Sequence, residues 1–375
     1  MSKLKNNKAF KFRLRPNEQQ KILIGKTIGC SRHIWNKMLE DKEAHYKETK
    51  KLLRTTPAKY KDKYPFLREV DSLALANVQL NLERSYAMYF KGKAGLPNFK
   101  SKKRDYGYTT NLVNGNIELT LNSIKLPKLG VVKCRVHRTI PSGYTLKSAT
   151  ISKSKTNKYY VSVLYEYYEE PKVIDIKDTL GLDFDIMNFF IDSNNNKYDY
   201  PKDIIMDYKK LRVLQRTMSR RYDKNKKITE QSKNFYKVQL QIAKVYEKIV
   251  NKRNDYLHKL SLLIAKEHDS VSVETLDIKA IASSNKFYGK QIGRFGWYKF
   301  IELLKYKLEE RGKKLIMIDK WYPSSKACSN CAYVKADLKV GEQVYKCDEC
   351  GFTICRDLNA SINIKNKGLE QLGLA

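Results

Sequence analysis

Hydrophobic and polar positions recur with different periods along this chain. Phe10, Phe12 and Leu14 alternate with Lys11, Arg13 and Arg15, which predicts a half-buried strand with a basic outer face. Pro16 stops it, and Asn17 with Gln20 reads as a helix cap and its reciprocal partner. A helical pattern then runs to about Lys51, with a break expected near Gly29-Cys30. Pro57 and Pro65 bracket a basic loop. Asp71 reads as the cap of a second long helix whose apolar stripe takes in Leu73, Ala76, Leu80 and Phe90. Gly92 to Arg104 is a lysine-rich loop, read either as a solvated linker or as a phosphate-contacting hinge.

From about Tyr106 to Glu169 the period is two. Ile117, Leu119 and Leu121 alternate, as do Val132, Cys134 and Val136, and Tyr160, Ser162 and Leu164 continue the style. Turn signals at Asn114-Gly115, Pro127 and Pro141-Ser142-Gly143 separate these runs, so a small β-barrel is expected, completed by the first strand. Glu169-Glu170-Pro171 marks a boundary. Beyond it Thr179 to Ile186 reads as a buried strand, with Asn194-Asn195-Asn196 as its hairpin turn. Two long basic helices follow, roughly Ile204 to Tyr222 and Ser232 to Glu267. A strand at Ser270 to Glu274, a helix at Trp297 to Gly312 and a strand at Lys314 to Trp321 complete a β/α layout.

Charge sharpens this picture. The 375 residues carry 74 Lys and Arg against 40 Asp and Glu, a net of +34 spread along the whole chain, which attracts phosphate backbones with marked salt dependence. A merely basic, ribosomal-type protein shares that property, so charge alone does not decide. No apolar run approaches the ~20 residues that span a bilayer, and MSKLKNNKAF lacks the apolar core of a signal peptide. A soluble, cytoplasmic and nucleoid-associated protein is expected, with no membrane partner.

Four of the seven cysteines are paired: Cys328 with Cys331, and Cys347 with Cys350. Two such tight pairs suit one tetrahedral structural zinc, and paired ligand spacing fits a reducing compartment better than disulfides do. Cys30 and Cys134 read as small buried apolar residues. Three acids stand at element ends: Asp183 in Gly181-Leu182-Asp183-Phe184-Asp185, Glu274 closing Val271-Ser272-Val273, and Asp357 opening the last helix. Phosphodiester hydrolysis needs charge neutralised on the attacking and leaving oxygens. Two Mg²⁺ ions ~3.5–4 Å apart do this, and carboxylates from separate elements can converge on such a pair. Arg212, Arg216, Arg220 and Arg221 share a helix that either grips a nucleic-acid backbone or is simply solvated. His137, His258 and His268 have no ligand spacing and read as structural.

Together these residues resemble the TnpB family, also called OrfB, encoded by bacterial and archaeal insertion sequences and similar to type V CRISPR effectors. Gly181-Leu182-Asp183 with Asn188 resembles the first nuclease motif of that family. Glu274 with Leu276 and Lys279 resembles the second, and Arg356-Asp357, Asn359-Ala360 and Asn363-Ile364 the third. Asn251 to His258, Tyr306-Lys307, Gly312 and Tyr322 to Cys328 also follow the family pattern.

The resemblance implies an α+β multidomain chain. A RuvC-like nuclease domain of RNase H fold would take residues 171–322 and 354–375, with a zinc ribbon inserted at 323–353. A wedge β-barrel would take 1–16 and 105–170, interrupted by a helical recognition segment at 17–104. It further implies RNA-guided cleavage of double-stranded DNA beside a short flanking motif. The partners would be a guide RNA from the insertion-sequence end and target double-stranded DNA, and specificity would lie in base pairing. By carry-over, Asp183, Glu274 and Asp357 are the catalytic, Mg²⁺-binding acids, and Cys328, Cys331, Cys347 and Cys350 hold Zn²⁺. The segment from Asp71 to Arg104 and the barrel edge would read the flanking motif.

Three positions depart from the family pattern: Asp185 and Ala332 stand where Gly is usual, and Cys355 where Asp is usual. On a strand Asp185 would share a face with Asp183 and could join the metal site or repel Asp183 and raise its pKa; it is expected instead to turn to solvent, Ala332 to strain the ribbon slightly, and Cys355 to act as an ordinary side chain. Other classes stay open. A nuclease-inactive RNA-guided repressor usually lacks catalytic acids, and all three are present. A transposase acting directly on DNA would also use three acids, so the triad does not separate it. A structural RNA-binding zinc protein accounts least well for the acids.

Overall fold

Asn17 fixes where the first helix begins. Its side chain accepts from the Gln20 N–H at 2.8 Å, and the Gln20 side chain accepts from the Asn17 N–H at 3.1 Å. The computed structural model describes residues 3–374 apart from 104–105, 173, 186–187, 278–279, 282, 284–285 and 339–341, and for 286–288 the backbone alone. Arg104, Ile186 and Lys279 thus lie outside the described residues. The chain divides into two units, Met1–Glu170 and Pro171–Ala375.

In the first unit β1 (Leu4–Arg15) precedes α1 (Glu18–Thr49) and α2 (Ser72–Phe90). Six strands follow: β2 (Gly107–Asn111), β3 (Glu118–Leu119), β4 (Ser123–Leu126), β5 (Gly130–Arg135), β6 (Thr145–Lys153) and β7 (Tyr159–Glu169). They form one seven-stranded sheet in the order β2-β6-β7-β1-β5-β4-β3. Every paired strand is antiparallel, and β1 lies between β7 and β5, far from it in sequence. Among the described residues no ladder joins β2 to β3. Phe10, Phe12 and Leu14 pack with Ile124, Val132, Ile151, Val161 and Val163 beneath Ile24, Ile28 and Ala74 of the helices.

Helix α1 runs unbroken through Gly29-Cys30, against the break expected there. One interior glycine costs roughly 1 kcal/mol, which burial of Ile28, Ile34, Trp35, Met38 and Leu39 offsets. Asp71 does cap α2, accepting from the Leu73 N–H at 2.9 Å. The buried stripe of α2 is Ala74, Leu75, Val78, Leu82 and Tyr86, whereas Leu80 and Phe90 are 49% and 60% exposed. This helix is apolar on two faces, and packing against α1 and the sheet chose the second. The lysine-rich loop is strapped to the middle of α1: Trp35 Nε1 donates to the Asn98 carbonyl at 2.9 Å, and Asn36 exchanges two bonds with the Lys100 backbone. Leu121 is 82% exposed, because the strand ends at Leu119.

The second unit opens with β8 (Thr179–Phe184), β9 (Phe189–Asp192) and β10 (Lys197–Asp199), then α3 (Lys202–Arg221) and α4 (Lys233–Glu267). The turn at residues 193–196 joins β9 to β10 rather than following β8, and Asp192 organises it by accepting from the Asn194 and Asn196 N–H groups. Next come β11 (Ser270–Glu274), α5 (Lys286–Phe295), α6 (Trp297–Glu309) and β12 (Lys314–Ile318). A hairpin of β13 (Val344–Lys346) and β14 (Thr353–Cys355) leads into α7 (Arg356–Leu372). The five-stranded sheet has the order β10-β9-β8-β11-β12, with β8, β11 and β12 parallel and β9 and β10 antiparallel.

Side chains alternate between the faces of this sheet. Leu180, Leu182, Val271 and Val273 enter a core with Ile264, Phe300 and Leu304 of α4 and α6. Gly181 and Ser272 point to the other face, where α7 lies: Cβ atoms built on Gly181 and Gly368 would strike Ser361 and Ser272. Among the described residues no helix is long and apolar enough to cross a membrane.

Candidate active site and metal centre

Strand parity places the acids. Asp183 shares the α7 face with Gly181, and Glu274 shares it with Ser272. The last registered pair of β11 and β8 is Val273 with Leu182, so Glu274 and Asp183 stand level, one step further along neighbouring parallel strands. Adjacent strands lie about 4.8 Å apart, and their carboxyl ends are where open α/β sheets bind ligands. Asp357 is in the first turn of α7, which packs across this face.

The acids sense one another. Burial raises the Asp183 carboxyl well above its usual range, and the charges of Asp357, Glu274 and Asp185 raise it further, while Arg356 opposes them. Burial pushes Glu274 up to about 7. Arg356 donates to Asp357 Oδ1 at 3.0 and 3.3 Å, so one guanidinium partly neutralises the group. Carboxyls crowded and desolvated in this way hold a proton or a cation more tightly than free ones do. Asp185 does not simply face water. Asn188 Nδ2 donates to it at 2.6 Å, and its charge reaches Asp183.

Among the described residues, the four cysteines alone form a group of three or more candidate ligands whose donor atoms all lie within 4.8 Å of one another. Cys328 and Cys350 sulfurs are 3.7 Å apart, and Cys331 and Cys347 sulfurs 3.6 Å. Four thiolates ~2.3 Å from one tetrahedral zinc stand about 3.8 Å apart, so the donor set suits a metal such as zinc. Both knuckles are built alike. Ala332 N–H donates to the Cys328 carbonyl at 2.9 Å and Gly351 N–H to the Cys347 carbonyl at 3.2 Å. Ala332 and Gly351 both take positive φ, +62° and +71°, which is the backbone strain expected at Ala332. Cys355 lies outside the cluster, at the N-cap of α7. The three carboxylates do not form so tight a group. Two ions ~3.5–4 Å apart, with oxygen ligands at ~2.0–2.1 Å, require ligands on opposite sides to be further apart than that.

Sequence reasoning did not assign Asn359 and Asn363 a role. Both are buried, and Asn359 Nδ2 and Asn363 Nδ2 each donate to the Ala327 carbonyl at 2.7 Å. Their signal was present as two amides one turn apart on the apolar face of a helix. Arg212, Arg216, Arg220 and Arg221 are exposed on α3, with Arg221 Nη1 donating to the Asn234 carbonyl at 3.2 Å. His137 meets Phe12 edge-on at 5.4 Å, and His268 pairs with Asp178.

Residues 162–285 match a family described as "Probable transposase", 297–364 match "Cas12f1-like, TNB domain" and 2–51 match "Helix-turn-helix domain". In the structure that last span is a strand followed by one continuous helix. A "Putative RNA-guided DNA endonuclease" of Streptomyces pristinaespiralis is 30% identical over 96% of this chain and 89% of its own. "Putative RNA-guided DNA endonuclease InsQ" of Escherichia coli is 26% identical over 97% of this chain and 93% of its own. The structure titled "Cryo-EM structure of the Cas12f1-sgRNA-target DNA complex" superposes with a TM-score of 0.59 at 11% identity, covering 96% of this chain and 99% of that one. That likeness is one of fold.

Proposed function

We propose that this chain, which belongs to the TnpB (OrfB) family of insertion-sequence proteins, is an RNA-guided DNA endonuclease cutting at Asp183, Glu274 and Asp357. Residues 171–322 and 354–375 are read as a RuvC-like nuclease domain of RNase H fold. The support is a sheet in which three parallel strands carry an antiparallel hairpin and a C-terminal helix crosses one face. The ribbon at 323–353 is read as zinc-bound, and the sheet and helices of the first unit as wedge and recognition segments. The partners are a guide RNA from the element end and target double-stranded DNA.

The observation that carries this reading is the approach of Asp357 and Glu274 to Asp183, whose carboxyl is raised first by burial and then by their charges. Their hard oxygen donors, crowded and half-buried, suit Mg²⁺. Bound there, two such ions would neutralise the attacking and leaving oxygens of the phosphodiester. The protein's own part is placement. Strands β8 and β11 fix two carboxylates level with each other, and α7 brings the third. Arg356 holds Asp357 by two bonds to one oxygen. The +34 charge draws the nucleic-acid backbone in, the α3 arginines offer part of that grip, and base pairing selects the sequence.

Purified protein carrying an element-end transcript should cut matched double-stranded DNA with Mg²⁺ and leave unmatched DNA whole. Cutting that persists in EDTA, or without any transcript, would falsify this reading.

A further inference from the structure

We propose that Asn359 and Asn363 are positioning residues that lock the first cysteine knuckle onto α7, so that the metal-holding ribbon sets where Asp357 stands. The inference rests on the reading of Asp357 as part of the cutting centre.

Helix α7 starts without a side-chain cap. The first turn of a helix carries unsatisfied N–H groups and frays unless something holds it, and Asp357 is in that turn. What holds it comes from the ribbon. Arg356 N–H donates to the Gln343 carbonyl at 2.8 Å, and the strand that enters the helix pairs Cys355 with Val344.

Two and six residues past Asp357, Asn359 and Asn363 face the knuckle together. Asn359 Oδ1 accepts from the Ser329 N–H at 2.9 Å, and its Nδ2 donates to the Ala327 carbonyl at 2.7 Å. Asn363 Nδ2 donates to the Ser324 carbonyl at 2.8 Å and to the Ala327 carbonyl at 2.7 Å. A carbonyl oxygen has two lone pairs, and Ala327 gives one to each asparagine.

Every partner lies within residues 324–329, the stretch that delivers Cys328 to the sulfur cluster. Asn359 and Asn363 are 0% and 4% exposed, so water does not replace these bonds. On its opposite face α7 touches the sheet at Gly181 and Gly368. The helix is therefore gripped from both sides, by the sheet and by the knuckle. If the knuckle loses its shape, the Ser324 and Ala327 carbonyls leave the asparagines, and the turn bearing Asp357 loses one of its two supports.

The test uses the full chain with its guide RNA. Asn363→Asp sets a carboxylate oxygen against two carbonyl oxygens at unchanged size. The expected result is single-turnover cleavage at least tenfold slower, and a Mg²⁺ concentration for half-maximal cutting at least fivefold higher. Amide exchange over residues 356–360 without Mg²⁺ should be at least tenfold faster. Zinc content and binding of matched DNA should stay within twofold. Asn359→Asp, which keeps the Ser329 acceptor, should move the same readouts by less.

Cleavage and exchange within twofold of wild type in both variants would overturn the proposal. So would a loss of cleavage only in proportion to lost zinc or lost DNA binding. Asp357→Ala runs in parallel. If it cuts normally, the cutting-centre reading fails; if it is inactive while Asn363→Asp cuts normally, the positioning inference fails alone.

Discussion

Gly181 lies under Ser361 at a distance no side chain can occupy. A Cβ there would stand 2.0 Å from the Ser361 carbonyl oxygen and 2.7 Å from the Lys365 nitrogen. Gly181 precedes Asp183 by two residues on the same strand face, and Ser361 follows Asp357 by one helical turn. This contact therefore sets the spacing between two of the three acids.

Gly181→Ala should force α7 outward, since the atoms met are backbone and cannot rotate away. Overpacking of this kind costs about 1–3 kcal/mol and occasionally more. Thermal unfolding should drop, and cleavage should fall further than the stability loss alone explains. A variant as stable and active as wild type would show that α7 does not depend on this contact.

Much of this layout was legible beforehand, and the limits have physical causes. Strand Ser270–Glu274 has its expected bounds, because the β-branched valines alternate with small serines up to the closing acid. The helix caps at Asn17 and Asp71 follow from local chemistry. The clustering of Cys328, Cys331, Cys347 and Cys350 was announced by their paired spacing. The stripe of α2 was misread because two faces carry apolar residues with the same spacing, and only packing chooses. The turn at 193–196 was given to the wrong strand because the connection from β8 to β9 has no glycine or proline to mark it. The two amides of the asparagine clamp were legible, but not their partners, because the carbonyls that accept from them come from backbone more than thirty residues away.

Ala332→Gly should strengthen the ribbon. At φ +62° a Cβ costs about 1–2 kcal/mol, and the matching place in the second knuckle is already Gly351. Part of that gain is lost to the freer unfolded chain, leaving about 0.5–1 kcal/mol. Zinc extraction by a chelator should slow severalfold, with cleavage unchanged. Faster extraction would contradict the strain assigned to Ala332.

Lys307 sits in the core of the second unit, donating to the His258 carbonyl and to Ser261 Oγ. Burial lowers it from 10.5 to about 8. Below pH 8 the folded protein carries this buried charge at a cost. Between about 8 and 10.5 the folded group has released its proton while the unfolded one keeps it, so stability gains with rising pH across that window. Lys307→Met removes the ionisable group. It should be the more stable protein at pH 7, with its advantage shrinking steadily from pH 8 to 10. A stability difference flat over that range would refute a depressed Lys307.

Removing the ribbon metal should open the small core around Tyr345, whose hydroxyl donates to the Lys326 carbonyl at 3.1 Å. Protease should then cut within residues 323–353 while the first unit stays intact. Equal resistance before and after chelation would mean that the knuckles hold without metal.

The most direct measurement is single-turnover cleavage by Asp183→Ala in complex with its guide RNA, beside wild type, on matched DNA with Mg²⁺. The expected result is a fall of about a thousandfold or more, on the scale of losing an essential charge-stabilising group, with RNA and DNA binding unchanged. Cutting by Asp183→Ala at the wild-type rate would place the chemistry elsewhere in the molecule.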